Sequence, residues 1–353
     1  MEYTDQVNIE NKRKLRAMLS DMPKFCSDYF RYLDTRNTST RTQLAYAYDL
    51  RLFFQFVRQN NPVYGKMTMR ELPISMLDEI TPTDVEEYLS YLSFYENTEG
   101  TEKTNGEKGK SRKLSALRTM YKYFFNKEFI TTNAPAMIET PKKHKDNIIH
   151  LDKDEVSDLI QAAEQGSDLT KKQQTFHEKT KYRDTAILTL LLGTGIRVSE
   201  LVGLDVKDVN FKHNSIRIIR KGGNESTVYY GDEVSAALME YLELERDSIA
   251  EKAAPEHGDA LFLSLKYTRL TTRAIEKLVK KYSSAASINK KITPHKLRST
   301  YGTNLYKETG DIYLVADALG HKSVETTRQH YAATDDERRR LAGKFSGSIF
   351  HQE

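Results

Sequence analysis

At 353 residues and 40.7 kDa the chain exceeds what one hydrophobic core usually organises, so two domains are expected. Hydrophobic residues are 38% and charged residues 29% of the total, which fits a soluble protein with a large polar surface; a net charge of +4 and a pI of about 8.7 permit a nucleic-acid partner without requiring one. A single cysteine, Cys26, excludes an intramolecular disulfide; no apolar stretch is long enough to span a bilayer, and the polar N-terminus holds no signal-peptide core, so a cytoplasmic protein is expected.

The first part of the chain reads as helical. Over residues 8–33, Leu15, Met18, Leu19, Met22, Phe25, Tyr29 and Leu33 recur at spacings of three and four, and Pro23 can break this run in two. Ser39 or Thr40 can cap a second helix that is expected to bury Leu44, Ala47, Tyr48, Phe53, Phe54 and Val57. Thr81, Pro82 and Asp84 open a third, expected to end near Phe94. Residues 96–110 are charged and contain glycine, and a flexible loop is expected there. A fourth helix follows, with Leu114, Leu117, Met120, Tyr121, Phe124 and Phe125 on its apolar side. This gives an all-α domain over residues 1–134 and a linker over 135–149, marked by Pro135, Pro141 and the basic run Lys142, Lys143, His144 and Lys145. That run is either a solvated connector or a strap across a DNA backbone.

The second domain is expected over residues 150–353. Acidic groups from Asp152 to Glu155 suit a helix N-terminus, and the apolar run 186–192 predicts a buried helix. Residues 214–219 and 226–230 alternate and are β-rich; joined by Lys221, Gly222, Gly223 and Asn224, they predict a hairpin. From Asp232 onward the pattern is mostly helical. The fold class is thus mainly α with a small antiparallel β-sheet.

The chemistry-bearing residues lie in this second part. TPHKLRST at 293–300 sets His295 and Arg298 one helical turn apart, on one side. TGIRVSEL at 194–201 supplies Arg197; LGHKS at 319–323 supplies His321; RQHY at 328–331 ends in Tyr331. Arginine keeps its charge and grips phosphate oxygens through a planar fork, histidine moves protons near neutrality, and tyrosine can hold a covalent intermediate. Such a set suits cutting a phosphodiester without metal. Each residue also has a plainer reading: Arg197 paired with Glu200, the histidines as core groups, Lys221 as a solvated turn residue. A zinc site lacks partners, since no HxxxH or HExxH spacing occurs and no cysteine lies nearby. The glycines at 193 and 195 would let backbone approach closely, as at a phosphate-receiving site.

Taken in order, TGIRVSEL, the RKGG turn at 220–223, TPHKLRST, LGHKS and RQHY resemble the tyrosine recombinase (integrase) family, and its Xer-like branch in particular. The resemblance runs from about Asn147 to the C-terminus and is weaker before it. It implies a core-binding helical bundle followed by an α+β catalytic domain, with no cofactor. It also implies roles: Arg197 and Arg298 clamp the scissile phosphate, Lys221 protonates the leaving 5′ oxygen, with Arg220 and Lys212 as competitors, His295 assists proton transfer, His321 donates to a non-bridging oxygen, and Tyr331 is the nucleophile. Thr40, Arg41, Tyr46 and Lys113 are expected to face the major groove. The implied partner is duplex DNA with an inverted-repeat-type site, bound by four protomers on two sites, with a partner recombinase or accessory protein as an option. The relatives commonly carry histidine after the second arginine; Ser299 stands there, and a packing difference is expected. Phe345, Ile349 and Phe350 are expected to anchor a tail on a neighbouring protomer. No arm-binding segment is evident before the bundle, which favours a Xer-like role over element integration. A type IB topoisomerase-like enzyme and an inactive DNA-binding protein are the other readings.

Overall fold

In a computed structural model, residues 3–96, 100–140, 148–220, 223–321 and 323–331 are described. The chain divides into two compact units, Met1–Lys145 and Asp146–Glu353. It is mainly α-helical with small antiparallel sheets.

In the first unit, among the described residues, five helices of ten residues or more run Tyr3–Leu19, Cys26–Thr35, Thr40–Asn60, Pro82–Tyr91 and Glu107–Asn126. The break between the first two brackets Pro23, whose ring cannot supply an amide hydrogen. Ser39 caps the third helix by accepting from the Thr42 N–H, and Thr81 and Asp84 form a capping box with Pro82 in the first turn. The core is aromatic: Tyr29, Phe53, Phe54, Tyr88, Tyr121 and Phe124 are fully buried. Phe25 meets Phe54 and Phe124 edge-on, at 5.8 and 5.5 Å between centroids.

One expectation is corrected here. Of residues 96–110, those described, 96 and 100–110, are more ordered than their composition suggests. Tyr95–Glu96 pairs with Glu102–Lys103, the Asn105 N–H donates to Leu92 O at 2.9 Å, and the next helix begins at Glu107. The pairing partners lie only six and eight residues apart, but the stretch lacks the alternating β-rich pattern that marks a strand, so charge and glycine content alone do not reveal them. The stretch read as a linker starts in a structured segment. Ala134–Met137 is a short helix with Ala134 and Pro135 buried, and Arg118 donates to Pro135 O, Ile138 O and Thr140 Oγ1.

The second unit is built around the helix Lys181–Thr194, which packs against Lys153–Gln165, Asp232–Tyr241 and Pro294–Thr309. Asp152 and Glu155 form the capping box that opens Lys153–Gln165. The central helix is capped from afar: the buried Glu245 carboxylate accepts from the Tyr182 and Arg183 N–H groups, each at 3.0 Å. Glu245 sits on Leu242–Arg246, a π-helical turn. The sheet is antiparallel, in chain order Val209–Asn210, Ser215–Ile219 and Glu225–Tyr229, with Ser215 opposite Tyr229 and Ile219 opposite Glu225. Ile216, Ile218 and Val228 point to its buried face.

Candidate active site

The site forms where three segments meet the end of the helix Ile312–Leu319. That helix stops at Gly320, whose φ of 59° is left-handed, and the turn that follows presents His321. The last carbonyls of a helix lack partners inside it and carry partial negative charge. Here three arginines take them. Arg220 Nη2 donates to Ala318 O at 3.3 Å, Arg298 Nη2 donates to Leu319 O, and Arg197 Nη2 lies 3.4 Å from Gly320 O.

Each arginine comes from a separate element. Arg298 lies on Pro294–Thr309, opened by Pro294 in its first turn. It is 4% exposed, and its Nη1 also donates to Gly195 O at 2.6 Å. One guanidinium therefore ties the ends of two helices, Lys181–Thr194 and Ile312–Leu319, together. Arg197 is the N-cap residue of Val198–Gly203. Its backbone N–H donates to Glu200 Oε2 at 2.8 Å and its Nη1 to Glu200 Oε1 at 2.7 Å. The Glu200 side chain is 3% exposed and that of Arg197 36%, so a buried carboxylate aims a guanidinium that solvent still reaches. Both sequence readings of Arg197 are thus compatible, since the pair with Glu200 leaves it beside Gly320.

Gly195 needs a different explanation from the one its sequence suggests. Its φ is 61°, and a Cβ there would overlap the Tyr301 ring and crowd Leu319. The close approach is to the protein's own packing, with the carbonyl turned to Arg298.

His321 is half-buried, and its Nδ1 shares a hydrogen bond of 2.8 Å with Oγ1 of the fully buried Thr327. Thr327 lies on Val324–Tyr331, the helix that carries Tyr331. This pairing orients the ring and links the His321 turn to the tyrosine's helix; sequence reasoning missed it, because it depends on the chain reversing at Gly320. His295 is exposed, one turn before Arg298. Its carbonyl accepts from Ser299 Oγ at 3.1 Å, and Ser299 is buried, so the serine back-bonds within its helix. Lys221, the side chain of Tyr331 and the tail from residue 332 lie outside the described residues. The strands Ser215–Ile219 and Glu225–Tyr229 are joined at their ends by the Arg220 N–H donating to Asn224 O at 2.8 Å.

The four residues expected at the major groove are placed unequally. Arg41 is exposed and Tyr46 half-buried on Thr40–Asn60. Thr40 is buried; its hydroxyl donates to Asn8 Oδ1 at 2.8 Å and accepts from Asn11 Nδ2 at 3.2 Å. Lys113 is buried too, 3.1 Å from Asn105 Oδ1 and 3.4 Å from Asp49 Oδ1. Burial pushes its ammonium below the ordinary lysine value, against the pull of Asp49. Thr40 and Lys113 therefore hold the bundle together, and their polar groups are already engaged inside it.

Among the described residues no group of three or more His, Cys, Asp or Glu is placed to hold a metal ion, and no helix is long and apolar enough to cross a membrane.

Comparison with known proteins identifies the family. The Phage integrase family model matches residues 150–338. The tyrosine recombinase XerC of Caldanaerobacter subterraneus subsp. tengcongensis is 32% identical over 343 residues, 94% of this chain and 89% of that protein. Among solved structures, the XerH site-specific recombinase bound to palindromic difH substrate in a post-cleavage complex is similar at TM-score 0.64 and 22% identity, covering 87% of this chain and 80% of that one. A lambda integrase tetramer bound to a Holliday junction is similar at TM-score 0.60 and 18% identity, covering 87% and 76%. At these identities the two structures speak for the fold. With more than half of the chain matched by the family model, the chain belongs to the phage integrase family of tyrosine recombinases, enzymes that cut and rejoin DNA.

Proposed function

We propose that this enzyme is a Xer-like site-specific recombinase that resolves chromosome dimers in the cytoplasm. Likeness to a XerC protein over 94% of the chain supports that role. The chemistry rests on one observation, the convergence of Arg197, Arg298 and His321 on the turn that follows Leu319. In this reading the arginines bind the non-bridging oxygens of the scissile phosphate and gain strength as charge builds in the transition state. His321 donates to the same phosphate and His295 assists proton transfer. The Tyr331 oxygen attacks phosphorus, the 5′ oxygen leaves with a proton from Lys221, and a 3′-phosphotyrosyl bond forms. The energy of the broken phosphoester is kept in the new one, so rejoining to another strand needs no ATP. Arginine charge stands where other enzymes use a metal, so no cofactor enters the scheme. Four protomers would act on two duplex sites of inverted-repeat type, an arrangement supported by the tetramer on a Holliday junction formed by the similar lambda integrase.

The test begins by selecting bound duplexes from a genomic pool and placing a nick beside the selected site, so that a cut strand cannot be rejoined. The full-length protein should then form a denaturant-resistant adduct, in excess EDTA as well as in magnesium. Tyr331→Phe should bind the duplex and form no adduct. An adduct from the Phe variant would remove Tyr331 as nucleophile, and loss in EDTA restored by one divalent ion would remove the metal-free scheme. Selected sites at the chromosomal region where replication ends support dimer resolution; sites at the ends of a mobile element would replace that role with integration.

A further inference from the structure

Arg220 carries more of this site than its place in the sequence suggests. It follows the strand Ser215–Ile219 and closes the hairpin, its N–H donating to Asn224 O at 2.8 Å and its carbonyl accepting from the Gly223 N–H at 3.1 Å. Its side chain reaches away from the hairpin, across 98 residues of sequence, to Ala318 O at 3.3 Å. There the guanidinium lies against Gly320 so closely that a Cβ on Gly320 would overlap it. A cation at a helix C-terminus is favourably placed. Arg298 and Arg197 already engage the next two carbonyls, those of Leu319 and Gly320.

We propose that Arg220 is a positioning residue that fastens the β-hairpin to the His321 turn, fixing where the chain at Arg220 lies relative to His321. This rests on the reading of Lys221 and His321 as groups that act on one phosphate. The fastening has a definite reach. Its hairpin end is the Arg220 backbone, adjacent to Lys221 in the chain; its far end is the Gly320 backbone, adjacent to His321. A group that protonates the leaving oxygen and one that holds a non-bridging oxygen must keep their separation to within a fraction of an ångström, because small misplacements of reacting groups are costly. Glycine at 320 is part of the device: its positive φ makes the turn, and its lack of a side chain admits the guanidinium.

The experiment uses the full-length protein, the nicked duplex carrying the selected site, and the variants Arg220→Ala, Gly320→Ala and the double variant. Amide hydrogen exchange in DNA-free protein should quicken in Arg220→Ala at both the hairpin turn and the 318–321 turn. Affinity for the duplex should stay within about twofold, while the rate of adduct formation falls on the order of 10–100-fold. Gly320→Ala displaces the same guanidinium, so the double variant should be no slower than the slower single variant. Multiplying defects, or wild-type cleavage by Arg220→Ala, would overturn the proposal, as would quickened exchange at only one of the two turns. If the wild-type protein forms no adduct, the functional reading fails while the exchange data still decide whether Arg220 fastens the two turns. Should Arg220→Ala fail to fold, Arg220→Lys keeps the charge, lacks the fork that reaches Ala318, and carries the same expectations.

Discussion

A guanidinium is useful at a phosphate only if it is aimed before the phosphate arrives, and Glu200 is what aims Arg197. Its buried carboxylate engages both the Arg197 backbone N–H and Nη1, so one side chain caps a helix and orients a cation. Glu200→Gln keeps an acceptor for the cap and loses the charge. We expect near-wild-type melting and adduct formation slowed about tenfold, a cost in orientation; equal rates in a single-turnover assay would show that Arg197 needs no such support. This pair was legible in the sequence because its partners are three residues apart in one helical turn. The contacts of Arg298 with Gly195 O and Leu319 O were not, since they join segments 103 and 21 residues away and only the folded chain brings them together. The same distinction separates Lys113 from Arg41. Both are basic residues on helices of the bundle, but nothing near Lys113 in sequence announces that Asp49, on another helix, has drawn it inside.

Elements in both units are held by buried polar groups, and each sets a testable stability. In the bundle, Asp49 on Thr40–Asn60 faces Lys113 and Arg112 on Glu107–Asn126, with its carboxylate 3% exposed. Burial raises the Asp49 carboxyl and lowers the Lys113 ammonium, and their mutual attraction opposes both. Removing one partner strands the other, so Asp49→Ala should cost roughly 3–5 kcal/mol and Asp49→Asn less, read from denaturant melts. In the catalytic unit, His177 Nδ1 lies 3.0 Å from Tyr282 Oη, which donates to Asp184 Oδ2 at 2.9 Å; Lys281 Nζ reaches the same oxygen at 2.9 Å. Burial, then the Lys281 ammonium, hold the His177 pKa below its ordinary 6.5, with Asp184 pulling the other way. A histidine whose folded pKa is depressed binds its proton more readily when unfolded. Its contribution is therefore full above the unfolded value and is lost as pH falls from there through the folded value. Melting of the catalytic unit should drop as pH falls below about 6.5, and His177→Gln should flatten that drop; an unchanged slope would place the acid sensitivity elsewhere. Capping boxes at Asp152 and Thr81 were readable from short-range spacing. The Glu245 cap on Lys181–Thr194 was not, because the carboxylate arrives from a π-helical turn more than sixty residues later, at a separation of 63 from Tyr182.

The two compact units meet different demands, and each has the means to fold on its own terms. The hydrophobic cluster that fills the bundle draws only on residues from Leu15 to Ile138, within Met1–Lys145. The catalytic unit packs its own apolar helix, with Ile187, Leu188, Leu190 and Leu191 fully buried. A chain of two cores need not unfold in one step. Calorimetry of the DNA-free protein should resolve two transitions. Asp49→Ala should lower one of them, and Leu188→Ala, a core truncation worth about 2–5 kcal/mol, should lower the other. A ligand raises the melting of whatever it binds in the native state. The proposed phosphate-binding groups lie in the second unit and the exposed Arg41 in the first, so a duplex carrying the selected site should raise both transitions. A duplex without the site, held by charge alone, should raise them less and lose that effect as salt increases. A single transition moved equally by both variants would mean that the two cores fold as one. A selected duplex that raises only the catalytic transition would take the bundle out of site recognition, and with it the expected role of Arg41.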